Sequence, residues 1–135
     1  MLLLAGILLQ ACRDEKKIYE PEPIPVTDPE YITSITGFYL LNEGNMGENK
    51  ASLDYFNYES GNYTRNIYGE ANPASVMGLG DVGNDLQIYG GRLYAVINCS
   101  NKLEVMDAKT ARHIGKIDVP NCRYIDFHEG YAYVT

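Results

Sequence analysis

Tryptophan is absent from this 135-residue chain, histidine occurs twice and cysteine three times. The spacing of the cysteines matches no zinc motif, so no metal site is predicted. The chain also lacks a nucleophile elbow, a His-Glu-x-x-His helix and a phosphate-binding Walker loop. We therefore expect a protein that is not an enzyme and that needs no cofactor.

Basic residues are outnumbered, with 11 Lys and Arg against 18 Asp and Glu, which gives a formal net charge of −7. Binding to phosphates requires a basic face, so this balance disfavours a nucleic-acid partner. The aromatic content lies mainly in 12 tyrosines. Tyrosine suits half-buried sheet surfaces and also the rims of ligand sites.

No apolar run is long enough to cross a membrane. The longest, Leu2–Leu9, falls short of the about 20 residues that a spanning helix needs. Its length is typical of the apolar core of a signal peptide, and Gln10-Ala11-Cys12 follows it. This ending resembles a lipobox, which predicts a signal peptide over residues 1–11 and lipidation of Cys12. The alternative is an unrelated apolar N-terminus with a free cysteine.

Residues 12–31 have the composition of a linker. The charged run Arg13–Lys17 is followed by four prolines between Tyr19 and Glu30. Closely spaced prolines prevent helix and sheet formation and favour an extended, semi-rigid spacer. We therefore expect the folded domain to cover residues 32–135.

The stretch Asp85–Asp118 predicts four short strands. Gly90-Gly91 separates two β-rich runs and is a strong signal for a tight hairpin. Lys102–Val105 alternates polar and apolar residues with period two, so Leu103 and Val105 share one face. His113–Val119 alternates poorly, as expected of an outermost strand with little buried area.

The pattern of this sheet repeats along the chain. Leu53–Ser60 is similar to Leu103–Thr110 at an interval of 50 residues, and Gly130–Tyr133 is similar to Gly91–Tyr94. A repeat of four short strands is typical of a β-propeller blade, so the fold class is all-β with four-stranded antiparallel blades. The alternative is a single β-sandwich with coincidental turn residues. Further strands are predicted at Gly37–Leu41, Leu53–Tyr58, Tyr63–Tyr68 and Tyr124–Phe127.

The ordered set of segments resembles a known family, the YncE-like propeller lipoproteins of Bacteroidetes, and among them the BtuG-type cobalamin-binding surface lipoproteins. The segments that carry the resemblance are Gly37–Asn45, Leu79–Leu86, Tyr94–Asn101, Glu104–Thr110 and Tyr131–Thr135. It implies a ring of about seven blades, of which this chain would be an N-terminal piece of about two and a half.

The same resemblance implies a function. The protein would sit on the outer face of the outer membrane, held only by the lipid at Cys12, with Arg13–Lys17 as the tract that routes it there. It would capture cobalamin (vitamin B12) or a related corrinoid and pass it to a TonB-dependent transporter in the same membrane. The alternatives are a surface propeller for adhesion or scaffolding, whose ligand is unknown, and a propeller enzyme.

Candidate ligand contacts lie in four loops that the blade topology places on one face. These loops are Asn42–Lys50, Gly69–Asn84, Asn98–Asn101 and Val119–Arg123. The candidate residues are Asn42, Glu43, Asn45, Met46, Asn98, Asn101 and Arg123. An amide-rich rim suits a large, neutral, hydrogen-bonding ligand such as cobalamin. The alternative is structural, since asparagine is a common turn residue.

Two smaller sets of residues allow two interpretations each. Cys99 and Cys122 lie in neighbouring loops and either form a disulfide or remain two free thiols. Asp81, Asn84 and Asp85 either bind calcium or cap a turn and a strand; they lack the full calcium-loop pattern.

Overall fold

Residues 35–135, which a computed structural model describes, form nine β-strands and one short helix. The elements in chain order are β1 (Gly37–Asn42), β2 (Ser52–Asn57), β3 (Tyr63–Thr64), α1 (Ile67–Ala71), β4 (Gly83–Tyr89), β5 (Arg92–Ile97), β6 (Lys102–Asp107), β7 (His113–Asp118), β8 (Ile125–His128) and β9 (Tyr131–Val134). The predicted signal peptide over residues 1–11, Cys12 and the linker over residues 12–31 lie outside the described residues.

The strands form three separate antiparallel sheets in which each strand pairs with its neighbour in sequence: β1-β2-β3, β4-β5-β6-β7 and β8-β9. The predicted all-β class is confirmed, and the stretch Asp85–Asp118 belongs to one four-stranded sheet of its own. Gly90 and Gly91 turn the chain between β4 and β5 with φ angles of 56° and 72°, as a tight hairpin requires. β7 is exposed along most of its length, as predicted for an outer strand.

The strand predicted at Tyr63–Tyr68 was wrong beyond its first two residues. Asn66 takes a left-handed conformation with φ 51°, which ends the strand, and its N–H donates to Asp54 Oδ1 at 2.8 Å. The Asn66 side chain then caps α1 by accepting from the N–H of Gly69. The helix buries Tyr68, so this segment contributes to the core from a helix and not from a strand.

The 50-residue repeat corresponds to the same turn built twice. After β2, Asn57 Oδ1 accepts from the N–H of Ser60 at 2.9 Å and from its hydroxyl at 3.2 Å. After β6, Asp107 Oδ1 accepts from the N–H of Thr110 at 2.9 Å and from its hydroxyl at 2.8 Å. Each turn ends in a residue with positive φ, Gly61 in the first and Ala111 in the second. The first and second sheets therefore share a hairpin design.

The second sheet has both of its faces covered, and β5 is its most deeply buried strand. From Leu93 to Ile97 no residue is more than 5% exposed. Because side chains alternate along a strand, Leu93 packs in one cluster with Leu53 of the first sheet. Tyr94 packs in a second cluster with Ile125 of the third sheet. The three sheets are thus layered face to face, with two apolar cores between them.

A buried carboxylate, that of Glu104 on β6, lies in the layer between the first and second sheets. Its side chain is 2% exposed. It accepts hydrogen bonds from Tyr68 Oη and Lys102 Nζ, each at 2.8 Å, and His113 Nδ1 is a third partner. Burial and the bond to Glu104 raise the pKa of Tyr68 to about 12, so the phenol keeps its proton and donates. The network joins α1 to two strands of the second sheet.

Two further side chains join the first two units through backbone groups. Asn72, just after α1, donates from Nδ2 to the carbonyl of Ala111 at 2.9 Å and accepts from the N–H of His113 at 2.8 Å. Tyr39 of β1 donates to the carbonyl of Ala108 at 2.9 Å. Burial, with neighbouring Tyr55 and Asp107, raises the pKa of Tyr39 to about 12. The sheets are therefore held in register by directional bonds as well as by apolar packing.

Glu104→Gln should destabilise the protein by about 2–4 kcal/mol, because Lys102 and His113 would then face a neutral amide inside the core. Asp118→Asn is the matched control. Lys116 Nζ lies 2.7 Å from Asp118 Oδ1, but both side chains are more than half exposed, so the control should cost about 0.5 kcal/mol or less. Urea denaturation measures both; equal losses would contradict the structural role of the buried network.

Asp107→Asn should preserve the turn, because Asn57 occupies the equivalent position in the sister turn. The hydrogen bonds from Thr110, which outweigh burial, lower the pKa of Asp107 in the folded state. A carboxyl group whose pKa is lower in the folded than in the unfolded state stabilises the fold at pH values above its unfolded-state pKa. This stabilisation is lost as the pH falls through the folded-state pKa. The difference in unfolding free energy between wild type and variant should therefore shrink below about pH 4. Denaturation at pH 7 and pH 3 tests this, and a constant difference would contradict it.

Candidate functional site

Four loops meet at one end of the sheets, and hydrogen bonds join them. The N–H of Gly47 donates to Asp81 Oδ2 at 2.8 Å, and the N–H of Asp81 donates to Ser100 Oγ at 2.9 Å. Asn98 Nδ2 donates to the carbonyl of Cys122 at 2.8 Å. The predicted grouping of these loops on one side is confirmed. We call this surface the loop face, defined as residues 43–51, 72–82, 98–101 and 119–124.

Asp81 lies at the centre of the loop face. Besides the contacts of its carboxylate and N–H, its carbonyl accepts from the N–H of Cys99 at 3.1 Å. Gly80 precedes it, and a Cβ at that position would lie 2.7 Å from Ser100 Oγ, so the close approach of these loops requires glycine. Val82 follows with φ 60°, an outlier for a β-branched residue. From the sequence, Asp81 was predicted either to bind calcium or to cap a turn, and its role in joining the loops was not predicted.

Two buried oxygens in this segment, Asp81 Oδ1 and Asn84 Oδ1, have no hydrogen-bond partner among the residues that the structure describes. Buried acceptors of this kind normally bond to a donor or to ordered water. Asp85, the third member of the predicted calcium set, accepts from the N–H groups of Leu86 at 2.8 Å and Ile125 at 2.9 Å. Its carboxylate therefore anchors the third sheet, as a strand cap would.

Three of the predicted contact residues use their side chains to brace the loops. Asn42 Nδ2 donates to Ser52 Oγ at 3.1 Å, and Asn98 holds Cys122 as described. Asn101 Oδ1 accepts from the N–H of Asn121 at 2.9 Å, and Asn101 has a positive φ of 52°. The three bonds join residues that lie 10, 24 and 20 positions apart in the chain, so they brace the loops over long range. Only Asn101, with its positive φ, has the turn conformation expected of asparagine, and contact of the three residues with a ligand stays a prediction.

The other predicted contacts, Glu43, Asn45, Met46 and Arg123, are exposed. Met46 is 77% exposed on the β1–β2 loop, and Gly47 beside it bonds to Asp81. The structure thus brings Met46 towards the α1–β4 loop, while Arg123 lies on the loop before β8. Val76, which is 95% exposed, was not among the predicted contacts. The available signal was an apolar pair, Val76-Met77, within a loop bounded by Pro73 and Gly78.

The two cysteines of this surface are free thiols. Cys99 is exposed at the tip of the β5–β6 turn, whereas Cys122 is buried and lies 3.6 Å through Sγ from the carbonyl of Lys102. Burial raises the pKa of the Cys122 thiol, which lowers the fraction of reactive thiolate. The sequence allowed either a disulfide between Cys99 and Cys122 or two free thiols, and the structure shows two free thiols.

Comparison with known proteins identifies the family of the chain. Residues 36–135 match the model of a family described as a domain of unknown function, DUF5074. The chain belongs to the DUF5074 family. No curated protein matches it. Within residues 35–135, no helix combines the length and apolar character needed to cross a bilayer.

Brief treatment of the native protein with N-ethylmaleimide should modify Cys99 and leave Cys122 unmodified, because only the first thiol is accessible. Peptide mapping by mass spectrometry identifies the labelled residue. In urea both should react, and Cys99→Ser should abolish labelling of this pair in the native state. Equal native labelling of both thiols would contradict the buried position of Cys122.

Proposed function

We propose that the three sheets are successive blades of a β-propeller. The support is that the second sheet has cores on both faces and that β4 approaches both neighbours. On one side, Gly83 packs against Leu41 of β1 so closely that a Cβ would lie 2.8 Å from Leu41 Cγ. On the other side, Asp85 Oδ2 accepts from the N–H of Ile125. An innermost strand in a radial arrangement makes such contacts.

We propose that the loop face captures cobalamin. The observation that carries this proposal is that hydrogen bonds brace four loops into one surface, on which exposed amides and apolar side chains are interspersed. Such a surface suits a large neutral ligand that offers amide groups around its rim and apolar area on its ring. The sequence resemblance to cobalamin-binding surface lipoproteins independently favours the same ligand.

We propose a binding role at the cell surface, without catalysis. Lipidation at Cys12 would anchor the protein to the outer membrane, and the proline-rich segment up to residue 31 would hold the folded domain away from the lipid. Bound corrinoid would then pass to a TonB-dependent transporter in the same membrane. A site that captures and releases a ligand needs complementarity and no reactive group, so no cofactor is part of this proposal.

A scaffolding or adhesion role is the second candidate. It is favoured by exposed tyrosines near the third sheet, Tyr124, Tyr131 and Tyr133, each more than half exposed. Tyrosine is enriched at protein interfaces because it combines a large apolar area with a hydroxyl group. In a propeller, however, a further strand of the same blade would pair with the edge of β9, and the next blade would cover the open face of this sheet. This candidate therefore depends on an open third sheet.

Titration of the native full-length protein with cyanocobalamin should show saturable binding of one ligand per protein, measured by calorimetry. The same titration with haemin, a flat macrocycle that carries carboxylates in place of amides, is the control for non-specific adsorption. Tight binding of cyanocobalamin alone is expected. No saturable binding of cyanocobalamin would overturn the proposed ligand and favour the scaffolding candidate.

A further inference from the structure

The segment between α1 and β4 is a loop with a fixed shape. Ser75 accepts at its carbonyl from the N–H of Gly78 at 3.1 Å and donates from Oγ to the Gly78 carbonyl at 3.1 Å. Its own N–H donates to the carbonyl of Asn72 at 2.9 Å. Across the loop face, Asn49 Nδ2 donates to the carbonyl of Met77 at 2.7 Å. Both ends and the tip of this loop are therefore held in place.

This well-braced loop presents apolar side chains to solvent. Val76 is 95% exposed and Met77 is 67% exposed, and Met46 on the adjoining loop is 77% exposed. Ordering a loop costs conformational entropy, and an exposed side chain recovers little of that cost by burial. Folding alone therefore gives no reason for apolar residues at the tip. A group of exposed apolar residues beside polar ones marks a binding surface.

The surroundings of these three side chains restrict the kind of occupant. Their polar neighbours are mostly amides, Asn45 and Asn49, while the charges of Lys50 and Glu48 pair with each other at 2.6 Å. No excess of positive charge is present, because Glu43 and Asp81 lie on the same loops and the net charge of the chain is −7. A polyanionic partner, such as a nucleic acid or an anionic-lipid surface, is therefore disfavoured. A neutral ligand with apolar area and polar edges fits these three side chains and the amides around them.

We infer that Val76 and Met77, with Met46 opposite, are the contact for the apolar ring face of the corrinoid, and that neighbouring asparagine amides bond to its rim. This inference rests on the proposed function and assigns the part of the loop face that supplies apolar contact. The flexible side chains of methionine adapt to an irregular apolar surface. The valine on a braced loop adds contact area that is already ordered before binding, which reduces the entropy lost on association.

The test compares variants of the native full-length protein in the cyanocobalamin titration. Val76→Ser combined with Met77→Gln should weaken binding by about tenfold or more, because apolar contact area is lost from an interface that buries it. Met46→Gln, on the other loop and close in size, should weaken binding by about threefold to tenfold on the same grounds. Ile114→Ser is the matched control: Ile114 is a half-exposed apolar residue on β7, and its variant should bind as wild type does.

A second ligand separates ring contact from contact with the nucleotide side chain of cobalamin. Dicyanocobinamide keeps the corrin ring but lacks the nucleotide, so the Val76/Met77 variant should lose affinity for both ligands by the same factor. Melting temperatures should stay within about 2 °C of wild type, because exposed side chains add little to stability. If the wild type binds and the Val76/Met77 and Met46 variants bind with the same affinity, this inference alone is overturned. Absence of binding by wild type would overturn the proposed function and this inference with it.

Discussion

The structure depends on one constraint: β5, in the middle of the second sheet, is apolar on both faces and is shielded from water on both. β5 has no residue more than 5% exposed between Leu93 and Ile97, and every one of them is apolar. A sheet exposed on one side would alternate apolar and polar residues. The continuous apolar run therefore requires a layer on each side, which the first and third sheets provide. The requirement to cover both faces of β5 therefore accounts for the stacking of the three sheets, without reference to any single contact between them.

Apolar packing sets the layers but leaves their relative position open, since hydrophobic contact is not directional. The directional bonds of Glu104, Asn72 and Tyr39 remove that freedom. A buried carboxylate is costly unless it is paired and hydrogen-bonded, and Tyr68, Lys102 and His113 supply these partners to Glu104. The network explains why a five-residue helix, too short to be stable by itself, follows the first sheet. The helix places Tyr68 where its hydroxyl group can donate to Glu104 of the second sheet.

Local features of the fold were predictable from the sequence, and features set by distant partners were not. Gly90-Gly91 and the period-two pattern of β6 depend on neighbours in the chain, and both predictions are confirmed. The same period-two pattern indicated a polar face for Glu104, which is instead buried, because its partner Tyr68 is 36 residues away. The strand expected at Tyr63–Tyr68 was wrong for a related reason. The N–H of Asn66 donates to Asp54, 12 residues earlier in the chain, and no periodicity or turn motif indicates that the two residues meet.

For the candidate site, the grouping of loops was predictable because it follows from strand order, whereas the roles of single residues were not. Asn42, Asn98 and Asn101 fit both a ligand rim and a turn, and the sequence holds nothing that separates these roles. Their bonds to Ser52, Cys122 and Asn121 are the distinguishing facts. Val76 was missed because the apolar pair Val76-Met77 in a loop does not by itself indicate whether its side chains are buried or exposed. Its significance depends on the bracing around it.

The strained residue Val82 connects the core to the loop face. A non-glycine residue held in an unfavourable backbone region costs about 1–3 kcal/mol, and glycine at this position would avoid that cost. Val82 is nevertheless 5% exposed, and burying a valine side chain returns about 1.5–3 kcal/mol. The turn is therefore fixed by the core on one side while Asp81, next to it, holds two loops on the other. In the proposed binding role, a loop face held in this way would lose little conformational freedom on association, so the stability of the fold would contribute to affinity.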